Sequence, residues 1–261
     1  MDLGLAGKTA VISGSSKGIG LATARCFLQE GARVAICARH EEAIRAAAEE
    51  LSPLGEVMPF TGDMTREEDV NAFADAALSR FGRVDCWINN VGASVRRAGT
   101  FYTPDEIRRT LDVCFTSAVY GCQAAGRVLE RGGVIVNISS LAARCGTAGR
   151  STLYGPLKAA VSHLAVMFAA EYASRGIRAV SVLPGFTVTP AVRAGIAPEE
   201  LKRNAAGTLL RRMADPAEIA RPIVFLCSDA ASYITATSLE VSGGRSVILN
   251  PEFVGEGDDT P

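Results

Sequence analysis

Short apolar runs alternate with segments of helical periodicity along almost the whole chain. Residues 8–12, Lys-Thr-Ala-Val-Ile, predict a buried strand, and 19–30 predict a helix with Leu21, Ala24, Phe27 and Leu28 on its apolar side. Further strands are predicted at Arg33–Ala38, 56–60, 84–88, 133–138, 177–183 and 238–241. Between them, helices are predicted at Glu41–Leu51, 65–81, 104–129, 154–174 and Pro216–Cys227. Thr65, with Glu68 three residues on, reads as a capping box opening 65–81. Pro104 in the first turn of 104–129, followed by Asp105 and Glu106, suits a helix start. The 154–174 segment is apolar on most faces, as a buried or interface helix would be. Strict alternation of strand and helix implies an α/β fold with a doubly wound, seven-stranded parallel sheet and helices on both faces.

No linker rich in Pro or Ser and no internal repeat interrupts this order, so the chain reads as one domain, 1–261. Residues 187–212 fit no strand. They follow the sixth strand at the carboxyl edge of the sheet, where ligands bind, and form a candidate substrate lid. The acidic tail at 255–261 is expected to fray.

Composition narrows the function classes. The 261 residues are 48% hydrophobic and 21% charged, enough for a sizeable core. A net charge of −1 gives no global attraction to nucleic acid or anionic membrane. No stretch approaches the roughly 18 apolar residues of a membrane span. No N-terminal signal is evident, and a cytoplasmic location is expected. The seven cysteines (Cys26, Cys37, Cys86, Cys114, Cys122, Cys145 and Cys227) are scattered and form no C-x2-C pair. They read as reduced thiols, neither a disulfide framework nor a metal site.

Candidate chemistry gathers where strands are predicted to end. Residues 13–20, Ser-Gly-Ser-Ser-Lys-Gly-Ile-Gly, join the first strand to the first helix, as in a nucleotide-binding β-α-β unit. Gly14 would allow the tight turn, Gly18 the approach of a phosphate, and Gly20 close packing of helix on strand. Asn89-Asn90-Val91-Gly92 ends the fourth strand, Ser139-Ser140 the fifth and Pro184-Gly185 the sixth. Tyr154 and Lys158 are four apart, on one face of a helix, where an ammonium can lower a phenol's pKa.

Taken in order, Gly14-x3-Gly18-x-Gly20, Asp63, Asn89-Asn90-Val91-Gly92, Ser140, Tyr154-x3-Lys158, Pro184-Gly185 and Ser232-Tyr233-Ile234-Thr235 resemble the short-chain dehydrogenase/reductase family over nearly the whole chain. The resemblance implies a Rossmann-like domain, a homodimer or homotetramer built on the long helices 104–129 and 154–174, and a small-molecule carbonyl or alcohol substrate. Tyr154 would be the general acid in reduction and the base in oxidation. Lys158 would lower its pKa and hold the nicotinamide ribose, and Ser140 would bond the substrate oxygen. Cofactor contacts would come from Gly14, Ser16, Lys17, Gly18, Ile19 and Gly20, from Asp63 and Met64 near the adenine, and from Asn90 and Gly92 in the cleft. Tyr154, Lys158, Pro184, Gly185, Thr187 and Thr189 would flank the nicotinamide end.

The resemblance places an acid at the end of the second strand in NAD-binding members. Here Ala38 stands there, followed by Arg39, and Lys17 precedes the second glycine. Two cations without a carboxylate suit the 2′-phosphate of NADP(H). The alternative is that both are solvated surface charges. His40 would flank that pocket or be exposed, and His163 would be a packing histidine. Arg96 and Arg97 would face the cleft or solvent.

The chain departs from the family pattern at Cys114, where an asparagine is usual, at Ala236, where a glycine is usual, and at Ser242, where an aspartate is usual. The asparagine's backbone carbonyl would hold a water linked to the catalytic lysine, and Cys114 keeps that carbonyl. Its thiol would be a packing group, with a reactive thiol as the alternative. The leading function is an NADP(H)-dependent oxidoreductase of ketones and secondary alcohols. Two rivals are a redox-silent NADP(H)-binding regulatory protein and a dehydratase or epimerase of the same family.

Overall fold

The computed structural model describes residues 2–93, 101–146, 151–190, 192 and 196–245. Arg96, Arg97 and the tail at 255–261 lie outside the described residues. Seven parallel strands, β1 (Thr9–Ser13), β2 (Arg33–Ala38), β3 (Val57–Thr61), β4 (Val84–Asn89), β5 (Leu129–Ile138), β6 (Arg178–Pro184) and β7 (Thr237–Val241), lie in the order β3-β2-β1-β4-β5-β6-β7. Helices α1 (Gly18–Gln29), α2 (Glu41–Leu51), α3 (Glu67–Phe81), α4 (Pro104–Leu111), α5 (Ser117–Val128), α6 (Tyr154–Glu171), α7 (Pro198–Ala206) and α8 (Pro216–Cys227) connect them.

The inner strands β1, β2, β4 and β6 are largely apolar and buried because both faces of the sheet are covered there, whereas the edge strand β7 is more polar and partly exposed. Ala10, Ile12, Val34, Ile36, Cys86 and Ile88 face one core, with Phe27, Leu28, Ile44, Leu51, Ile219 and Ile223 from α1, α2 and α8. Val11, Ala35, Cys37 and Trp87 face the other, with Phe73, Ala77, Cys122, Ala125, Ala165 and Ala169 from α3, α5 and α6. The side-chain period of two thus divides each strand between two cores. The strand order reverses beside β1, between β2 and β4, so a crevice opens at the carboxyl edge there.

Some predicted elements are corrected. Thr65 and Glu68 form no capping box. Thr65 Oγ1 donates instead to Asp63 Oδ1 (2.9 Å), and α3 starts at Glu67 after Arg66, which makes no side-chain cap. Because Arg66 takes the N-cap place, Glu68 falls at the second helical position, outside the spacing of a capping box. Capping boxes lie at α4, between Thr103 and Glu106, and at α8, between Asp215 and Glu218. The predicted helix 104–129 is three pieces: α4, a π-helical stretch Asp112–Thr116, and α5. The predicted helix 154–174 stops at Glu171, followed by a 3-10 turn. The candidate lid contains a helix, α7, with Pro198 in its first turn. His163 is exposed, not packed inside.

Candidate active site

The crevice is framed by hydrogen bonds between strand ends. Ser13 Oγ donates to Ile88 O (3.3 Å) and accepts from the Asn90 N–H (3.0 Å), joining β1 to β4. Asn90 Nδ2 donates to Gly14 O (2.8 Å) and Ser13 O (3.2 Å), so its amide fixes the glycine-rich turn. A Cβ on Gly20 would lie 2.6 Å from Gly14 O and 2.7 Å from Asn90 Nδ2. The close approach assigned to this glycine from sequence is therefore real. Asn89 turns away from the crevice. Its Oδ1 accepts from Trp87 Nε1 (2.8 Å) and its Nδ2 donates to Asn137 Oδ1 (2.9 Å), bracing β4 on β5.

Ser15, not singled out from sequence, is buried. It accepts from the Cys37 N–H (2.9 Å) and donates to Ile12 O (2.8 Å), tying β2 to the turn. The start of α1 has no side-chain cap and no acidic residue in its first turn, which leaves its N–H groups for an anion. Ser16 and Ile19 flank that start, and Ile19 packs on the first core. Lys17 and Arg39 are exposed, and neither side chain has an ion-pair or hydrogen-bond partner among the described residues. Asp63 Oδ1 accepts from the Thr65 N–H (3.0 Å), and Met64 beside it is buried.

Ser139 and Ser140 separate in role. Ser139 Oγ is buried and donates to Lys158 O (2.7 Å), tying β5 to α6. Ser140 Oγ accepts from the Ala142 N–H (3.2 Å) and hydrogen-bonds the Tyr154 phenol. Tyr154 opens α6, and Lys158 Nζ lies 5.8 Å from the centre of its ring. Lys158 Nζ donates to Ile138 O (2.8 Å), its one hydrogen bond among the described residues. A Cβ on Gly92 would overlap this nitrogen, so that glycine makes room for the ammonium.

Burial governs both titrating groups. It pushes the Tyr154 phenol up to about 12, raised further by Cys114 and opposed by the Ser140 hydroxyl. It also brings Lys158 down to about 8. The expected lowering of the phenol by Lys158 does not emerge in the protein alone. The ammonium is itself desolvated and turned toward Ile138 O.

Cys114 is buried in the π-helical stretch, and its Sγ donates to Ala93 O (3.1 Å). Burial raises the thiol's pKa while Lys158 pulls it down. This is a packing and hydrogen-bonding thiol, in line with the sequence reading.

The lid springs from Pro184-Gly185. Its ends are pinned together, the Val188 N–H donating to Ala214 O (2.8 Å) and the Ala214 N–H to Phe186 O (2.9 Å). Thr187 is buried, and its Oγ1 donates to Gly185 O (3.2 Å). Thr189 faces the glycine-rich turn, since a Cβ on Gly18 would lie 3.3 Å from its methyl. Residues 191 and 193–195 of the lid lie outside the described residues. A second residue missed from sequence is Tyr102, whose phenol oxygen accepts from the Thr152 N–H (3.0 Å), just ahead of Tyr154. A lone tyrosine before a helix start carries no sequence signal of such a contact. Among the described residues no group of His, Cys, Asp and Glu side chains could hold a metal ion, and no helix is long and apolar enough to cross a membrane.

The chain is similar to known proteins over most of its length. A family model described as enoyl-(acyl carrier protein) reductase matches residues 14–246. The 7alpha-hydroxysteroid dehydrogenase of Escherichia coli strain K12 is 34% identical over 252 residues, which cover 95% of this chain and 98% of that protein. A solved 7alpha-hydroxysteroid dehydrogenase complexed with NADH and 7-oxo glycochenodeoxycholic acid superposes with a TM-score of 0.87 at 33% identity, covering 93% of this chain and 96% of that one. A short-chain dehydrogenase from Burkholderia cenocepacia J2315 in complex with NADP gives 0.86 at 29% identity, covering 92% and 98%. With a family match over most of its length and this sheet order, the chain belongs to the short-chain dehydrogenase/reductase family of oxidoreductases.

Proposed function

We propose that the protein is an NADP(H)-dependent oxidoreductase interconverting a ketone and a secondary alcohol, built as one NAD(P)-binding domain with a substrate lid at about 187–212. The observation that carries this reading is the convergence of Ser140, Tyr154 and Lys158 at the carboxyl edge of β5, with Lys158 buried and only one protein acceptor on its ammonium. Its remaining N–H groups fit ribose hydroxyls. The uncapped start of α1 fits a pyrophosphate. Lys17 and Arg39, exposed and unpaired among the described residues, fit a 2′-phosphate, which makes charge-assisted hydrogen bonds to such cations.

In this reading the bound dinucleotide supplies the hydride. The Tyr154 phenol donates its proton to the substrate oxygen, and the Ser140 hydroxyl orients that oxygen. Lys158 is protonated below about pH 8 and places a positive charge one helical turn from the developing phenolate. The glycine-rich turn, Asp63 with Met64, Asn90 with Gly92, and the Pro184, Gly185, Thr187 and Thr189 segment would line the dinucleotide. The 187–212 segment would cover a small-molecule substrate at this edge of the sheet. Seven free cysteines support a cytoplasmic setting. Cys114 keeps a hydrogen bond to Ala93 and leaves the Tyr154–Lys158 pair in place, so it lends no support to a redox-silent protein.

The test is NADPH oxidation against a panel of ketones and 1,2-diketones, with NADH in parallel and Tyr154→Phe alongside. Turnover is expected to fall by a factor of at least about 10² in Tyr154→Phe, the scale of general-acid catalysis, with NADPH binding retained. Full turnover by the variant would refute the assigned mechanism. Equal or tighter binding of NADH would refute the NADP preference.

A further inference from the structure

Tyr102 lies between β4 and α4, directly before Thr103, the N-cap residue of α4. It reaches across to the residues that lead into α6. Its phenol oxygen accepts from the Thr152 N–H at 3.0 Å and hydrogen-bonds Ser151 Oγ, also at 3.0 Å. Ser151 is buried and Tyr102 half-buried. Hydrogen bonds from Ser151, Thr152 and Leu153 hold the Tyr102 phenol below the ordinary tyrosine value.

The start of α6 has no cap of its own. Leu153, its N-cap residue, offers no acceptor, and its first turn holds no acidic residue. Unpaired N–H groups at a helix start are usually met by a serine, threonine or aspartate one residue upstream. Here a phenol from a distant segment holds the approach to the helix instead, taking the N–H of Thr152, two residues ahead of Tyr154. Tyr154 is the first residue of α6, so a displaced helix start moves its hydroxyl first. Lys158 sits one turn further in, held by Ile138 O, and moves less.

We propose that Tyr102 is a positioning residue for the reaction: its phenol oxygen anchors the start of α6 and thereby sets the Tyr154 hydroxyl against Ser140. This rests on the reading of Tyr154 as the proton donor. It ties the segment after β4, which carries Asn90 and Gly92, to the helix that carries the catalytic pair.

Tyr102→Phe keeps the ring and removes only the hydroxyl, and with it the bonds to Thr152 and Ser151. In NADPH-dependent ketone reduction its kcat is expected to fall about tenfold, with KM and the NADPH Kd changed less than about twofold. Ser151→Ala should give a smaller loss in the same direction, and the double variant should be no worse than Tyr102→Phe, because both changes break one shared contact. A purely structural role would lower thermal stability without this split between kcat and KM. Hydrogen exchange gives a readout independent of turnover: amides at 152–155 should exchange faster in Tyr102→Phe, with the rest of α6 unchanged. An unchanged kcat in an active enzyme, additive losses in the double variant, or unchanged exchange at 152–155 overturns the proposal. If the wild type reduces no ketone, the functional reading fails separately. Exchange at 152–155 then decides the anchor, acceleration supporting it and its absence refuting it.

Discussion

Lys158 carries its charge where charge is costly. Its side chain is buried, its one acceptor is the Ile138 carbonyl, and Gly92 leaves no atom to crowd it. Burial brings it from 10.5 to about 8. Between those values the folded protein binds fewer protons at this site than the unfolded chain, so stability rises with pH. Below about pH 8 both states are charged and the cost is felt in full. In urea titrations of the cofactor-free protein from pH 8 upward, the wild type should gain up to ~1 kcal/mol per pH unit relative to Lys158→Met. The buried thiols of Cys37 and Cys122, pushed up to about 12, act in the opposite sense but equally in both proteins. Parallel stability curves would show that the ammonium is not desolvated.

Elements show where local sequence stops being decisive. The apolar pattern of 104–129 reads as one helix because a π-helical turn inserts one residue and leaves the periodicity on either side intact. The turn becomes visible only when Cys114 meets Ala93 across the gap to the segment after β4. Thr65 shows the converse, a cap signature made void because the helix begins one residue later, after Arg66. Ala236 leads into β7 with φ +54°, held there by its N–H bond to Ala179 O (2.8 Å). A Cβ in this left-handed region costs about 1–2 kcal/mol, partly offset by the extra chain entropy of glycine. Ala236→Gly should therefore raise unfolding stability by roughly 0.5–1 kcal/mol. A lower denaturation midpoint would mean that the methyl group packs favourably.

At the scale of the whole molecule, apolar groups among the described residues remain exposed on outer helix faces and along the sheet edge. On α4, Ile107 and Leu111 are exposed, and on α6 Val166 and Met167 are exposed beside His163, at the spacing of one helix face. On and beside the edge strand β7, Leu239 is partly exposed and Tyr233 fully so. Edge strands and apolar helix faces of this kind are ordinarily covered. A homodimer or homotetramer is the expected solution state, and light scattering should give two or four times the 27.3 kDa chain mass. Met167→Glu should shift that mass toward the monomer. A wild-type monomer would contradict the assignment.

The alternation of apolar strands and helices was enough to read seven strands, their parallel sense and the carboxyl edge as the place for chemistry. Side-chain period and turn residues are local, and a sheet covered on both faces demands continuous apolar strands. The order of motifs likewise identified the family, and Ser140, Tyr154 and Lys158 as the group to inspect. Contacts between distant segments were not legible. Ser139 serving α6 while Ser140 faces Tyr154, Asn89 bracing the sheet while Asn90 holds the turn, and Tyr102 at the start of α6 all depend on which side chains converge after folding. The pKa values of Tyr154 and Lys158 belong to the same class, because desolvation is a property of the packed interior and not of the spacing of two residues on a helix.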